Sequence, residues 1–119
     1  MWLAEFENGG ITLKQDTIIP YPSAPKDVVN IVNKTRGYSK PNVVFQSYAN
    51  DTLYVTLDNP YAYTEQLGST GAAMFLVSTV YNLTGHDSIK YVYLDVPIGS
   101  HGKPGLFSKD LVANLIKAK

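Results

Sequence analysis

The spacing of apolar residues predicts two helices of different character. In the segment 25–36, apolar residues recur at helical spacing from Val28 to Val32, so we expect a short amphipathic helix that ends at Gly37. The segment 69–84 is apolar on almost every side. A helix of that kind is typical of a central position that neighbouring elements mostly cover.

Three further segments have the composition and the period-two alternation of β-strands. Residues 42–48 and 52–57 are rich in β-branched and aromatic side chains, and Asn50–Asp51 between them suits a tight turn, which predicts a hairpin. Residues 88–97 show the clearest alternation of the chain. The prolines at 20 and 22 favour an edge strand or an extended arm ahead of the first helix.

The order of these elements predicts an α+β fold with an αββαβ core. Two helices would pack on one face of a three-stranded sheet, because both have an apolar surface to bury. We expect one domain over residues 1–119, with its core at about 25–106 and an N-terminal arm or edge strand at 1–24. The tail predicts a short C-terminal helix that Ser108 caps. Its inward residues would be Leu111, Val112 and Leu115.

Composition narrows the classes of function. The chain has 119 residues, of which 45% are hydrophobic, so it can bury the core of one ordinary domain. Its formal net charge is zero, without the basic excess of nucleic-acid and anionic-membrane binders. The absence of cysteine excludes disulfide scaffolds, thiolate metal sites and cysteine nucleophiles. No segment has the pattern of a signal peptide or a membrane span, so we expect a cytoplasmic protein or a mature domain separated from its export signal.

A G-x-x-G pattern from Gly68 to Gly71 precedes the apolar segment and admits two interpretations. In KH domains such a loop clamps a nucleic-acid backbone between two helices, with basic side chains nearby. Here no lysine or arginine occurs between Lys40 and Lys90, and no clear helix is expected just before Gly68. Because phosphate contacts supply most of the affinity in such complexes, we favour a structural role. In that role Gly68 starts the helix and Ser69 caps it.

Candidate catalytic chemistry is confined to the two histidines. Ser100 and His101 lie in a glycine-rich loop close in sequence to Asp95, which supplies the residue types of a hydrolase triad. A triad depends on geometry rather than on nearness in sequence, and the nucleophile-elbow pattern is absent. His86 falls in a turn where polar residues are usual, and neither histidine has metal-ligand spacing. We therefore expect no enzyme activity, no cofactor and no metal site.

Three N-x-T sequences, at Asn33, Asn50 and Asn82, match the acceptor pattern for N-glycosylation. Asn82 belongs to the predicted buried helix and could hardly carry a glycan. Chance in a chain rich in asparagine and threonine is the favoured explanation, unless the protein is secreted by a eukaryote.

The most suggestive surface feature is a group of tyrosine and threonine side chains on one sheet face. Alternation directs Tyr54 and Thr56 of the second strand, and Tyr91 and Tyr93 of the third, away from the helices. Such pairs also stabilise a sheet by themselves, so a purely structural role stands beside a binding role. As a binding surface the face suits a protein partner, because tyrosine is enriched in interfaces, or a carbohydrate. The edges of the first and third strands are further candidates for pairing with a neighbouring subunit.

Most of the chain, residues 25–106, resembles the GerMN domain of bacterial sporulation, spore-germination and envelope lipoproteins. The family pattern is a strand, a Gly-Ser that leads into a long helix, and a strand that ends near an Asp-Gly-Lys turn. The corresponding stretches, in the same order, are "LYVTLDN", "GST", "VYNLT", "SIKYVYLDVP" and "GKPG". The chain departs from the pattern at Ala72 and Ala73, where an acid is common, at Asn82, and in a longer final turn.

That resemblance implies a module similar to the ring-building motifs of envelope machines and spore channels, with no catalytic residues to assign. It implies a non-catalytic interaction or assembly domain outside the cytoplasmic membrane, in the bacterial cell envelope, whose partner is a protein or a second copy of itself. The membrane would be reached only through an anchor that is not part of this sequence. The alternative is a module that binds a cell-wall glycan or a small ligand on the tyrosine face. No nucleic-acid partner is expected.

Overall fold

A four-stranded sheet, two main helices and an N-terminal hairpin form the body of the protein. The computed structural model describes residues 1–15, 18–36 and 41–116, so the predicted helix end at Gly37 lies outside the described residues. The elements in chain order are β1 (Trp2–Glu7), β2 (Gly10–Gln15), α1 (Pro25–Thr35), β3 (Val43–Ala49), β4 (Thr52–Leu57), a π-helical segment (Ala62–Gln66), α2 (Gly68–Leu83), β5 (Tyr91–Leu94), β6 (Gly105–Phe107), α3 (Lys109–Val112) and a 3-10 turn (Ala113–Leu115).

The main sheet has the strand order β3-β4-β5-β6. β3 and β4 form the predicted antiparallel hairpin, with positive φ at Asn50 and Asp51, and β5 pairs parallel to β4. α2 lies in the crossover between these parallel strands, a connection too long for a tight turn. The prediction of three strands is wrong, because β6 adds a fourth that runs antiparallel to β5. β6 has only three residues after a glycine- and proline-rich segment, too few to show alternation.

The N-terminal segment, expected as an extended arm or a single edge strand, contains a separate two-stranded sheet. β1 and β2 pair antiparallel, with Trp2 opposite Gln15. Asn8 and Gly9 form the turn, with φ of 50° and 79°, and positive φ at both turn residues matches the natural twist of a hairpin. An Asn-Gly pair is a strong hairpin signal, so this element could have been predicted from the sequence.

α2 is covered on more than one side, because β1 and β5 both contact it. Its buried side chains include Ala72, Phe75, Leu76, Val77, Thr79, Val80 and Leu83. This burial confirms the central position predicted from its apolar composition. α1 is amphipathic, and it contacts β3 and α2. Within the residues that the structure describes, no helix has the length and the hydropathy to cross a bilayer.

The hydrophobic core lies between the main sheet and the two helices. Its fully buried side chains include Leu53, Val55, Val92 and Leu94 from the strands, and Val28, Val32, Val77, Val80 and Leu83 from the helices. Full burial of one such side chain contributes roughly 1.5–3 kcal/mol before the entropic cost of ordering the chain.

The predicted C-terminal helix is present but shorter than expected. Ser108 caps α3 as predicted, and its hydroxyl accepts a hydrogen bond from Leu111 N at 3.2 Å. Val112 is fully buried, whereas Leu111 and Leu115 are exposed, so the inward orientation predicted for those two residues is wrong. α3 has only four residues and changes to a 3-10 turn after Val112, which moves Leu115 off the predicted helical face. Leu111 lies within α3 itself, on the side that faces solvent.

Two buried asparagines tie the helices to strand backbones, and we call them the asparagine clamps. Asn33 of α1 donates from Nδ2 to Val43 O at 2.7 Å and accepts at Oδ1 from Val43 N at 3.0 Å. Asn82 of α2 donates to Trp2 O at 3.1 Å and accepts from Trp2 N at 2.7 Å. In each clamp a side-chain amide therefore satisfies both polar groups of a backbone residue, as a neighbouring strand would.

Each clamp belongs to an N-x-T sequence in the last turn of its helix. The threonines return hydrogen bonds within the helix, from Thr35 to Ile31 O at 2.7 Å and from Thr84 to Val80 O at 2.6 Å. Asn82 is completely buried, as expected, and its amide group is already engaged. In α2, Ser78 supports the same contact, because its hydroxyl donates to Trp2 O at 2.9 Å.

Candidate interaction surface

The face of the main sheet that points away from the helices carries the predicted tyrosine and threonine side chains. Strand register sets its membership, because residues that pair across strands share a face. We call it the outer face and define it by Val44, Tyr54, Thr56, Tyr91, Tyr93 and Leu106. The alternate residues of β4 and β5, among them Leu53 and Val92, are buried in the core.

Tyr54 and Tyr93 form the centre of the outer face. They lie opposite each other on the parallel strands β4 and β5, with ring centroids 5.7 Å apart and an interplanar angle of 38°. Leu106 of β6 lies opposite Tyr93 and extends this row across a third strand. Tyr91 is in the adjacent row, opposite Thr52. The structure therefore brings the four predicted residues onto one surface, and their role in binding stays a prediction.

A polar border adjoins the tyrosine pair. Thr56 Oγ1 donates to Asp95 O at 2.6 Å, and Gln46 Nε2 donates to Asp95 Oδ2 at 3.1 Å. Gln46 reaches this position because it is the extra residue of an irregularity in β3 between Phe45 and Ser47. Gln46 was not predicted as a member of this surface, since a bulge breaks the alternation that assigns residues to faces. Asp95 was missed as well, although it continues the alternation of Tyr91 and Tyr93.

The outer face is open to solvent. Val44 and Tyr91 each keep 40% of their accessible surface, and Leu106 keeps 47%. Neither aliphatic member was predicted from the sequence. Val44 lies in an apolar segment that resembles a buried strand, and Leu106 belongs to the unpredicted β6. Large apolar side chains grouped on one exposed face mark a candidate contact surface, whereas scattered ones do not.

The strand edges are less suitable for pairing with a neighbouring subunit than the sequence predicted. The segment 89–96 cannot pair with a neighbouring subunit, because β5 lies between β4 and β6 and both of its edges are used. β3 is an edge strand, but the irregularity at Gln46 interrupts its regular pairing. The Asn33 clamp also occupies both polar groups of Val43 at the start of β3. Both features discourage strand addition.

The predicted start of the long helix is confirmed at Gly68, but Ser69 is not its cap. Gly68 is the first residue of α2 and has φ of 75°, a conformation that glycine adopts without strain. Leu67 occupies the cap position with helical φ and ψ, and no side chain caps the helix. The hydroxyl of Ser69 instead lies 2.9 Å from His101 Nδ1. The expected cap is absent because the chain arrives already helical, so Ser69 lies inside the helix rather than before it.

A helical segment does precede the G-x-x-G pattern, which corrects the expectation that none would. Residues Ala62–Gln66 form a π-helical segment, and Leu67 N donates to Ala62 O at 2.9 Å. The lack of lysine and arginine between Lys40 and Lys90 still disfavours a phosphate clamp. The charged side chain next to the pattern is Glu65, whose carboxylate accepts a hydrogen bond from Ser100 N at 3.0 Å.

The residue types of a hydrolase triad are not brought together. The imidazole of His101 contacts Ser69 rather than Ser100, and Asp95 belongs to the polar border of the outer face. His86 has a structural position: it is nearly buried, accepts from Ser88 N at 3.1 Å and lies 3.2 Å from Ser23 O. Among the described residues, no group of three histidines or acids could hold a metal ion.

Comparison of the chain with protein-family models, with curated proteins and with solved structures finds no match. The resemblance to the GerMN domain therefore stays a prediction that depends on the quoted stretches of sequence.

Proposed function

We propose that this chain is a non-catalytic interaction domain that binds a protein, or a second copy of itself, through the outer face. The observation that carries the proposal is the Tyr54–Tyr93 pair, flanked by exposed apolar side chains on the sheet face opposite the helices. Tyrosine combines a large apolar ring with a hydroxyl group, which suits an interface that is partly desolvated and partly hydrated. Aliphatic flanks at Val44 and Leu106 favour a protein surface over a purely polar ligand.

The size of the outer face predicts a weak contact. Four strands spaced by about 4.8 Å are about 14 Å wide, and five residues at about 3.3 Å each extend about 16 Å along the strands. The projected area is therefore about 200 Å², whereas a stable interface takes roughly 800 Å² from each partner. Binding through this face alone should be transient and dependent on concentration. Tight binding would require the partner to cover surrounding loops as well.

The proposal includes a location outside the cytoplasmic membrane, in the bacterial cell envelope. Its support is the resemblance to the GerMN domain, and α1, β3, β4, α2 and β5 follow the αββαβ order which that resemblance implies. The full-length gene product tests this part. A lipoprotein signal or a membrane anchor ahead of residue 1 is the expected finding. A product with neither, recovered in the cytoplasmic fraction, contradicts the location.

Sedimentation velocity at increasing protein concentration tests the contact surface. We expect the mean mass to rise with concentration for the unaltered protein, and the double variant Tyr91→Lys with Leu106→Lys to remain monomeric, because it places two charges on the outer face. The matched control is Tyr61→Lys, since Tyr61 is 62% exposed but lies outside the sheet.

If a different protein is the partner, the same variants separate the outcomes. Envelope proteins retained by the unaltered chain and by the Tyr61 variant should be lost with the double variant. A chain that is monomeric at every concentration, and that retains the same proteins with or without the double substitution, refutes the proposal.

A cell-wall glycan or small ligand is the second candidate, and the polar border favours it. The carboxylate of Asp95 and the amide of Gln46 are planar groups that can hydrogen-bond hydroxyls beside the tyrosine rings. Wall fragments should then shift the NMR signals of Tyr54 and Tyr93, and Asp95→Ala should abolish the shifts. Unchanged spectra at high fragment concentration would dismiss this candidate without affecting the first.

A further inference from the structure

Asp95 is the charged residue of the surface that the outer face and its polar border form. Its side chain is exposed, and its Oδ2 accepts the hydrogen bond from Gln46 Nε2 at 3.1 Å. Within the part of the chain that the structure describes, no lysine or arginine forms an ion pair with this carboxylate. A carboxylate can accept hydrogen bonds at both oxygens, so Oδ1 keeps its capacity for a partner from outside the chain.

The outer face cannot supply a cation for Asp95 itself. Neither the residues that define this face nor those of the polar border include a lysine or an arginine. If two copies met through their outer faces, both Asp95 carboxylates would lie in the contact without a positive charge. Removing a carboxylate from water without such a partner costs free energy. The charge distribution therefore favours a partner surface that differs from the outer face and carries a cation.

The tyrosine pair lies beside this carboxylate. Asp95 follows β5 and continues its alternation, so its side chain shares a sheet face with Tyr93, about 6.6 Å away along the strand. The rings of Tyr54 and Tyr93 pack against each other and are half-buried. A cation within about 6 Å of a ring centroid is attracted by the negative face of the ring. One cationic group can therefore contact a tyrosine ring and the carboxylate at the same time.

We propose that the protein bound by the outer face presents an arginine side chain, whose guanidinium stacks on the Tyr54–Tyr93 pair and donates to Asp95 Oδ1. The proposal rests on the proposed function, because it specifies the chemistry of that protein partner. A guanidinium suits the site because it is planar, stacks on aromatic rings and carries a fork of N–H donors that matches a carboxylate. The ammonium of lysine is compact and strongly hydrated, so it is less suited to contact both groups.

NMR titration of the whole chain with three capped tripeptides tests the proposal. The probes are acetyl-Leu-Arg-Gly-amide and the same peptide with lysine or citrulline at its centre. Citrulline is the closest control, because it has the size and the planar end group of arginine but no charge. We expect the arginine peptide to shift the signals of Tyr54, Tyr93 and Asp95. It should bind about fivefold more tightly than the citrulline peptide, since an exposed ion pair and a cation–π contact are each modest. The lysine peptide should bind less tightly than the arginine peptide.

Asp95→Asn keeps the size of the side chain and removes its charge, so it should reduce the affinity for the arginine peptide to that for the citrulline peptide. Asp87→Asn is the matched control, since it removes an exposed carboxylate from the turn after α2 and should have no effect. Several results overturn the proposal: no shifts with any peptide, citrulline or lysine bound as tightly as arginine, or unchanged arginine binding in Asp95→Asn. The comparison of peptides uses the unaltered chain, so it remains decisive even if a variant misfolds.

Asp95→Asn also separates this proposal from the proposed function. Envelope proteins that are lost with the Tyr91→Lys and Leu106→Lys double variant should be lost with Asp95→Asn as well. If Asp95→Asn retains them, the outer face binds its partner without an arginine contact, and only the present proposal fails. If the double variant also retains them, the proposed function itself is refuted.

Discussion

The Asn82 clamp makes a quantitative prediction about how the N-terminal hairpin is held. Asn82→Ala removes the acceptor of Trp2 N and one of two donors to Trp2 O. Ser78 still donates to Trp2 O at 2.9 Å, so the carbonyl keeps a partner and only the N–H is left without one. An unsatisfied N–H costs about 1–3 kcal/mol, and truncation of a completely buried side chain adds to that loss. We expect a loss of about 2–4 kcal/mol, confined mainly to the contact between β1 and α2.

Trp2 provides the assay, because it is the single tryptophan of the chain and its ring lies 5.5 Å from that of Tyr81 on α2. Its fluorescence therefore reports hairpin detachment, while circular dichroism reports loss of the whole fold. In the unaltered protein we expect the two urea transitions to coincide. In Asn82→Ala the fluorescence transition should move to lower urea by about 1.3–4 M, at a slope of about 1–1.5 kcal/mol per M, and precede the other.

Asn33→Ala is the matched control, since it removes an equivalent pair of hydrogen bonds from Val43 in the main sheet. It should lower both transitions together, because β3 is part of the cooperative core. Coincident transitions in Asn82→Ala, with a midpoint within about 0.3 M of the unaltered protein, would show that the clamp contributes little and that apolar contacts alone hold the hairpin.

Three further substitutions test individual features. Gly68→Ala should lower the free energy of unfolding by about 1–2 kcal/mol in urea titrations, because the φ of 75° at Gly68 disfavours a Cβ. Gly68→Asn should lower it less, because asparagine tolerates a positive φ. Equal losses would show that the backbone conformation is not the cause. His86→Leu should lower stability by about 1–3 kcal/mol in thermal unfolding by leaving Ser88 N and Ser23 O unpaired, and an unchanged midpoint would contradict this. Burial raises the pKa of Tyr63 above 10.0, so the unfolded chain ionises first and stability should fall as pH rises past 10. Tyr63→Phe should reduce that fall in urea titrations, and an identical pH profile would refute the assignment.

Local periodicity was sufficient to predict the elements that build the core. α1, α2 and the strands β3 and β4 appear where the apolar spacing predicted them, because each has an apolar face to bury. β5 is also present, but it covers only Tyr91–Leu94 of the ten residues predicted at 88–97. β6 was missed because three residues cannot show a period. The π-helical segment was missed because its tight run of turn-forming residues resembles a loop.

Contacts between residues far apart in sequence could not be predicted from the sequence. The pairing of Ser69 with His101 spans 32 positions, and no local pattern links them. Gln46 joined the polar border through an irregularity that shifts the alternation of β3. The tyrosine face was predictable for the opposite reason, since alternation alone determines which side chains share a sheet face.

The clamp between Trp2 and Asn82 also has a consequence for the order of events as the chain is made. It joins residues 80 positions apart, so the hairpin cannot dock until residue 82 has been synthesised. Closing a loop of that length costs about 4 kcal/mol in chain entropy beyond a constant. The hairpin can form early through its Asn8–Gly9 turn, and we expect it to wait undocked while the sheet and α2 are completed. The hairpin, although it precedes the sheet and α2 in chain order, would then be packed after them.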